Sequence, residues 1–232
     1  MIIICHNGFH SFCFSKKSKG WISSIIAAYT INGKRFHIGG LAVDEKRDYL
    51  FVSDFISKQV LVIDLNLNLI KKIDTTHDVN FMYPRAICFK SDQLFVCDYS
   101  KKLVLLFNND LECIDFLQLD YYPLRIKAST VMLCVGANSA IYFYYLNDLC
   151  FFKKFDFTFC QINTIDSAFY AIDGSSKIIY CFYENGVLNE KFTLNGAIKD
   201  ILVDENDGSL IRFKNGLLML SFKNHKIVKF SN

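Results

Sequence analysis

The sequence contains no long apolar run and few of the residues that interrupt regular structure. No stretch approaches the roughly 18 consecutive apolar residues needed to cross a bilayer, so we expect no transmembrane helix. The first residues, Met1 to Cys5, include no basic group and only a short apolar run, which are not the features of a secretory signal. Proline occurs twice and glycine 11 times in 232 residues. We therefore expect a globular chain that does not associate with a membrane.

The cysteines lack the patterns of a disulfide framework or a zinc site. There are nine, an odd number, and no two of them form a Cys-x-x-Cys pair. Cys88, Cys97, Cys134 and Cys181 lie inside apolar runs, where a thiol behaves as a small hydrophobic group. Because free thiols are rare in secreted proteins, we expect a reducing compartment and a cytoplasmic location.

Aromatic and branched residues dominate what is present. With 23 Phe, 12 Tyr and 52% hydrophobic residues, the composition favours pleated, half-buried strands. The formal net charge of +3 is too small to indicate nucleic-acid binding, because neutralising phosphates requires a concentrated basic face. Any basic face must therefore come from local clustering.

Two independent markers repeat along the chain about every forty residues. The first is an apolar segment that ends in an acidic residue, at Asp54, Asp98 and Asp173, with a degenerate copy that ends at Gly136. The second is an Asn in the turn after the next apolar run, and its positions are Asn66, Asn108, Asn147, Asn185 and Asn224. Asn is a turn residue because it tolerates left-handed backbone angles, so we expect these positions to mark successive hairpins.

Each repeat resolves into four short strands. In the first full unit they are Gly40–Asp44, Leu50–Asp54, Val60–Asp64 and Leu69–Ile73, and in the next Ala86–Phe89, Leu94–Asp98, Leu103–Phe107 and Glu112–Asp115. Four strands in about forty residues are typical of a β-propeller blade, whose sheet is buried against both neighbours.

We predict an all-β, six-bladed β-propeller of four-stranded antiparallel blades. Five blades are complete, and Met1–Cys5, Phe9–Ser15 and Trp21–Ala28 supply three strands of the remaining one. Two explanations of its missing strand stay open: the first blade is incomplete, or the chain begins inside a longer protein.

The two best units resemble the NHL repeat. A segment containing proline leads into the first strand (Tyr83 to Ile87), the second strand has the form Leu-Phe-Val-x-Asp, and a polar turn and an apolar third strand follow. This resemblance covers residues 37 to 116, and the later units share its order and spacing. It implies that the carboxylates of Asp54, Asp98 and Asp173 fix the turn after the second strand, a structural role.

The histidines argue against a metal enzyme. His6 and His10 are separated by Asn7-Gly8, which indicates a hairpin turn, and His77 and His225 are isolated. Only His37 lies near an inner strand, whereas a channel metal would need several histidines from different inner strands. We expect no catalytic residues and no cofactor. The alternative is a small-molecule hydrolase or lyase, lactonase-like or amidating-lyase-like, with a metal in the central channel.

The remaining candidate for function is one loop face. Loops that lead into the first strands and loops between second and third strands emerge on the same side of a propeller, and seven basic and aromatic residues are expected to converge there. They are Lys58, Tyr83, Arg85, Lys101, Lys102, Tyr122 and Arg125. Lys34, Arg35 and Lys177 belong to the same side, whereas Lys71, Lys72, Lys153 and Lys154 fall on outer strands and protect sheet edges.

Basic groups interleaved with aromatics suit phosphates and unstacked bases, and they equally suit a protein. The sequence thus predicts a non-enzymatic platform that binds protein or single-stranded RNA.

Overall fold

A computed structural model describes most of the chain between Ile3 and Phe230. The described residues are 3–6, 9–12, 30–31, 34–35, 37–64, 68–74, 80–156, 159–165, 168–173, 178–193, 198–204, 208–213, 216–221 and 226–230. Across these ranges the chain forms strands and turns without helix, so no helix there could cross a membrane. Two compact units divide the chain, Met1–Ile126 and Lys127–Asn232.

Unit 1 contains two small hairpins and two four-stranded antiparallel sheets. The hairpins are β1 (Ile3–His6) with β2 (Phe9–Phe12), and β3 (Thr30–Ile31) with β4 (Lys34–Arg35). The first sheet is β5 (Ile38–Asp44), β6 (Tyr49–Asp54), β7 (Gln59–Asp64) and β8 (Leu69–Ile73). The second is β9 (Pro84–Lys90), β10 (Gln93–Asp98), β11 (Leu103–Phe107) and β12 (Cys113–Gln118). In both, strand order follows chain order.

The remaining twelve strands repeat the same sheet three times. The third sheet is β13 (Arg125–Ala128), β14 (Met132–Gly136), β15 (Ala140–Tyr145) and β16 (Phe151–Asp156). The fourth is β17 (Phe159–Ile165), β18 (Ala168–Asp173), β19 (Ile178–Phe182) and β20 (Leu188–Thr193). The fifth is β21 (Ile198–Asp204), β22 (Gly208–Phe213), β23 (Gly216–Ser221) and β24 (Lys226–Phe230). The described residues therefore hold five four-stranded sheets, all antiparallel.

Burial falls from the middle strands of a sheet to its outermost strand. All residues of β11 and β14 are buried, whereas β8, β12 and β16 are mostly exposed. This agrees with the prediction that continuous apolar runs are strands covered on both faces. Lys71 and Lys72 lie on β8, and Lys153 and Lys154 on β16, so all four occupy outermost strands as expected.

Two glycines bring the inner strands of the first two sheets close together. A Cβ added at Gly39 would lie 2.7 Å from the carbonyl oxygen of Arg85, and one at Gly40 would lie 2.8 Å from the same atom. The hydroxyl of Ser53 donates to that oxygen at 2.7 Å. The absence of a side chain at these two positions therefore fixes where the backbone of Arg85 runs.

The predicted strands match the observed ones with small shifts. The first strand of the second sheet begins at Pro84 rather than Ala86, which is allowed because a proline in the first position of a strand removes no essential hydrogen bond. Glu112 belongs to the preceding turn instead of β12.

At the amino-terminal end, β1 and β2 confirm the hairpin that joins His6 to His10, whereas the predicted strand Trp21–Ala28 lies outside the described residues. Lys34 and Arg35 form a strand, so their assignment to a loop was wrong.

The recurring Asn residues mark turns by a different mechanism from the one predicted. In the described turns the left-handed residue is Leu111, Leu149 or Gly186, not the Asn. The side-chain oxygen of Asn108 instead accepts hydrogen bonds from the backbone N–H groups of Asp110 and Glu112, at 3.0 and 2.9 Å. Asn108 therefore holds its turn through its side chain, and Asn185 likewise accepts from the backbone N–H of Val187 at 3.1 Å. Asn66 and Asn224 lie outside the described residues.

Candidate interaction face

Five aromatic side chains of unit 1 form a continuous line, which we call the aromatic row: His37, Phe55, Tyr83, Tyr99 and Tyr122. His37 and Tyr83 directly precede the inner strands β5 and β9, and Tyr122 precedes β13. Phe55 and Tyr99 directly follow β6 and β10. Because β5 and β6 are antiparallel neighbours, as are β9 and β10, these positions share one end of the sheets.

The row alternates between contacts within a sheet and contacts between sheets. Within each sheet, a backbone hydrogen bond joins the two residues: Phe55 N–H donates to His37 at 3.1 Å, and Tyr99 N–H donates to Tyr83 at 2.9 Å. Their ring centroids lie 5.9 and 5.8 Å apart. Between sheets, Phe55 stacks on Tyr83 at 4.8 Å. Tyr99 stacks on Tyr122, at the start of the segment leading to β13, at 4.9 Å.

Buried carboxylates hold this end of the sheets in place. Asp98 is fully buried and accepts backbone hydrogen bonds from Met82 at 2.7 Å, Tyr83 at 3.1 Å and Lys101 at 3.2 Å. It thereby ties the segment before β9 to the turn after β10. The structural role predicted for this position is confirmed.

Asp54 and Asp173, the equivalent carboxylates of the other repeats, also accept hydrogen bonds from backbone N–H groups. Asp54 accepts from the backbone N–H groups of His37 and Ser57, both at 3.2 Å, and Asp173 accepts from that of Ile178 at 3.2 Å. The second oxygen of Asp54, Oδ2, is buried and has no hydrogen-bond partner in the described structure.

Two predicted basic residues lie against rings of the row. The guanidinium carbon of Arg85 is 5.4 Å from the ring centroid of Tyr99. The ammonium group of Lys102 is 4.6 Å from that of Tyr122 and donates to the backbone carbonyl of Asp120 at 3.3 Å. These distances are those of cation–π pairs. The structure therefore brings together Tyr83, Arg85, Lys102 and Tyr122.

The other three predicted residues belong to the same end of the sheets. Lys101 donates from Nζ to the backbone carbonyl of Asn80. Lys58 is exposed and occupies the same turn position as Lys102, four residues after the strand-ending Asp, and both have left-handed φ angles, of 54°. Arg125 begins β13 and donates to the carbonyl of Leu124 at 2.8 Å. Lys177 lies outside the described residues.

Sequence reasoning missed His37, Phe55 and Tyr99 as members of this surface. A signal for the last two is present, because an aromatic residue directly follows the strand-ending Asp in both of the best repeats. The corresponding residue is Ala137 in the third repeat and Gly174 in the fourth. The aromatic character of this position is thus confined to the first two full repeats.

The cations at this end are held by rings and carbonyl groups rather than by carboxylates. Among the described residues, no ion pair is formed by Lys58, Arg85, Lys101 or Lys102. At the opposite end of the same sheets, Lys46 pairs with Asp92 at 2.9 Å and Arg47 pairs with Asp44. Two cations of the opposite end therefore have carboxylate partners, and the four named at this end have none among the described residues.

A metal site would need several His, Cys, Asp or Glu side chains close together. Within the ranges that the structure describes, no three His, Cys, Asp or Glu side chains are placed to hold a metal ion together. His37, the histidine nearest an inner strand, packs edge-on against Phe55. His77 and His225 lie outside these ranges.

No protein-family model matches the sequence, and no curated protein does. Solved structures do match. Hsv2 from Kluyveromyces lactis has a TM-score of 0.65 at 12% identity, with 83% of this chain and 62% of that chain covered. Virginiamycin B lyase from Staphylococcus aureus gives 0.65 at 12%, covering 84% and 69%. Hydrazine synthase from Kuenenia stuttgartiensis gives 0.64 at 13%, covering 91% and 70%.

These similarities concern the fold alone, because the identities are so low. The matched structures are β-propeller proteins, and this chain shares their four-stranded antiparallel sheets. It spans less than two thirds of the length of the Hsv2 chain.

Proposed function

We propose that this chain is a non-enzymatic interaction platform that binds a protein through the aromatic row and its flanking cations. The main support for this proposal is the row itself, which continues across two sheets and reaches Tyr122. Tyr122 is 49% exposed and is therefore accessible to a partner. Tyrosine and arginine are enriched at the centres of protein interfaces, where a large rigid side chain contributes contact area at little entropic cost. The tyrosines of the row and the adjacent Arg85 supply both residue types on a framework held by buried carboxylates.

A protein fits this surface better than single-stranded RNA. Base recognition requires ring faces on which bases can stack. Here Tyr99 stacks on Tyr122 and lies beside Arg85, and Lys102 lies over Tyr122. The rings are thus engaged with groups of the protein itself, and they offer edges and hydroxyl groups to a partner. Binding of RNA instead of a protein is therefore treated as one of the outcomes of the test.

The test compares two tyrosines of similar exposure. Tagged protein is isolated from its native cell after cross-linking, the retained proteins and RNAs are identified, and each is then purified and titrated. Tyr122→Ala is expected to lower the affinity for the true partner by roughly tenfold or more, because truncating a tyrosine at an interface hot spot has an effect of this size. The control is Tyr183→Ala, at a tyrosine that is 54% exposed in unit 2, and it should change binding little. If no retained molecule distinguishes Tyr122→Ala from the wild type, the platform proposal is wrong. If RNA alone does, the protein version is wrong.

The enzyme alternative has a separate test. Two matched structures are a lyase and a synthase by name, so a small-molecule hydrolase or lyase with a channel metal stays the competing proposal. Metal analysis of the purified protein decides between them, because a stoichiometric metal that is lost with activity would favour the enzyme.

We also propose that the repeats are of the NHL type, that they form six blades and that the protein is cytoplasmic. Six cysteines have described side chains, and four of them are buried thiols: Cys88, Cys97, Cys134 and Cys181. Burial raises the pKa of the Cys97 thiol well above its usual value, which keeps it protonated and unreactive. Mass spectrometry of the native protein without reductant should find these cysteines as thiols. Disulfides among them would contradict the cytoplasmic location.

A further inference from the structure

We propose that the segment bound along the aromatic row is an extended, acidic stretch of the partner protein, with a carboxylate at about every third residue. This inference rests on the proposed function, because it names the chemistry of the partner at the same surface. It follows from the charges at this end of the sheets and from the spacing of the repeats.

The first step is the state of the cations. Lys101 and Lys102 donate to backbone carbonyls and Arg85 lies beside a ring. A carbonyl dipole or a ring quadrupole attracts a cation without cancelling its charge, so the full positive charge stays available to an anion. Lys58 is exposed and makes no contact with another described residue that would compensate it. Four positive charges, those of Lys58, Arg85, Lys101 and Lys102, thus have no carboxylate partner among the described residues.

The second step is the state of the acids at the same end. Asp54 and Asp98 are fully buried; Oδ1 of Asp54 and both oxygens of Asp98 accept hydrogen bonds from backbone N–H groups. At this end of the first two sheets, the exposed carboxylates of the described segments are those of Asp74 and Asp120, which follow the outermost strands β8 and β12. Along the inner part of this end, where the row runs, positive charge is therefore in excess. An acidic segment complements it.

The third step is the spacing. Lys58 and Lys102 hold the same position in successive sheets, and so do Phe55 and Tyr99 of the row. The ring centroids of Phe55 and Tyr83 lie 4.8 Å apart and those of Tyr83 and Tyr99 lie 5.8 Å apart, so one sheet repeat spans at most about 11 Å along the row. A chain in the extended polyproline II conformation has three residues per turn and rises about 3.1 Å per residue, so residues three apart lie on the same face and about 9 Å apart. A segment with acidic residues at i and i+3 therefore meets equivalent cations of neighbouring sheets.

The test uses four defined probes and the whole chain. The first probe is a fluorescent 12-residue peptide with the sequence Glu-Ser-Phe repeated. The second has the same composition with its glutamates contiguous, the third carries Lys in place of Glu, and the fourth is a 12-nucleotide oligouridylate. Fluorescence anisotropy measures the affinity of each at low and at high salt.

Matched variants locate the binding. Lys58→Gln with Lys102→Gln removes the two equivalent cations, and Lys71→Gln with Lys72→Gln removes two charges from the outermost strand β8. We expect the spaced acidic peptide to bind the wild type in preference to the other probes and to weaken with salt. The first pair of substitutions should reduce its affinity about tenfold, and the second pair less than about twofold, because each exposed charge pair contributes modestly.

Five outcomes overturn the inference, and the last of them also overturns the proposed function. Equal losses in the two variants would mean diffuse electrostatics, and equal affinity for the contiguous peptide would contradict the spacing. Tighter binding of oligouridylate than of the acidic peptide would mean that the ligand of this surface is RNA and not an acidic protein segment. If no probe binds while the native partner still depends on Tyr122, the acidic segment is wrong and the platform stands. If Tyr122→Ala has no effect on any partner, the platform itself fails.

Discussion

The two ends of the first two sheets of unit 1 use the same repeat for different purposes. At one end, rings stack in a row and cations lie against rings and carbonyls. At the other, the side chains of Lys46 and Arg47 pair with carboxylates, and Arg47 lies between 5 and 6 Å from the rings of Tyr49 and Phe89. At the second end, two cations pair with carboxylates of the protein. The four cations named at the first end have no such partner among the described residues.

Arg47 shows what compensation at the second end looks like. Its guanidinium group donates to Asp44 and to the backbone carbonyl of Asn109, so it joins the first turn of one sheet to the last turn of the next. Its Nη2 is buried and has no hydrogen-bond partner in the described structure. An arginine committed in this way stabilises packing and has little capacity for binding, in contrast to Lys58 at the other end.

The largest expected effect on stability is a difference between substitutions of Asp98 and Asp54, two equivalent carboxylates at the row end of the sheets. Asp98→Asn replaces an oxygen that accepts hydrogen bonds by an amide that donates, opposite the N–H of Met82 or of Tyr83. We expect a loss of about 2–3 kcal/mol in the free energy of unfolding, the cost of an unsatisfied buried group. Asp54→Asn should cost less than about 1 kcal/mol, because the amide can take the place of an oxygen that has no partner. Urea unfolding measures both, and equal losses would contradict the assigned geometry.

The next largest effect is expected where the backbone of Arg85 passes close to Gly39. Gly39→Ala brings a Cβ within 2.9 Å of two backbone atoms of Arg85, which cannot rotate away. We expect a loss of about 1–3 kcal/mol and a change in the near-ultraviolet circular dichroism of the tyrosines. Ser100→Ala, in an exposed turn at the same end, is the control. A Gly39→Ala protein as stable as this control would show that the sheets separate easily.

A smaller effect concerns the stacking itself. In a double-mutant cycle, Tyr99→Ala and Tyr122→Ala should be coupled by about 0.5–1.5 kcal/mol, the energy of a stacked aromatic pair beyond its buried area. The same cycle between Tyr99 and Tyr49, which lies at the opposite end of the first sheet, serves as the reference and should give no coupling. Additive losses for Tyr99 and Tyr122 would mean that the row is a set of independent rings.

The smallest effect belongs to the opposite end. The Lys46–Asp92 ion pair is mostly solvent-exposed, with side-chain exposures of 75% and 48%. Lys46→Ala should therefore cost from a few tenths to about 1 kcal/mol in the free energy of unfolding. Salt should remove this difference, because exposed charges are screened. A loss above that of Asp98→Asn would reverse the comparison between the two ends.

Part of the interaction face could be predicted from the sequence because the repeat has a fixed phase. Tyr83, Arg85, Lys102 and Tyr122 were found from their positions before first strands and after second strands. Lys34 and Arg35 were misplaced, since a charged dipeptide beside Asn and Gly resembles a loop although it forms β4. Phe55 was missed because an aromatic residue next to a buried strand resembles one more core residue.

By itself, the sequence determined the strands and their order, since apolar runs of strand length, bounded by Asp and Asn at a period of about forty residues, satisfy few other folds. It also determined that Asp54 and Asp98 hold turns, because a carboxylate bonds backbone N–H groups that are near in the chain. Only the tertiary structure decided that rings from different sheets stack and that Arg85 and Lys102 face rings instead of carboxylates. These contacts join residues up to 28 positions apart. They depend on how closely two sheets approach, which Gly39 and Gly40 set through the backbone of Arg85 and no local pattern encodes.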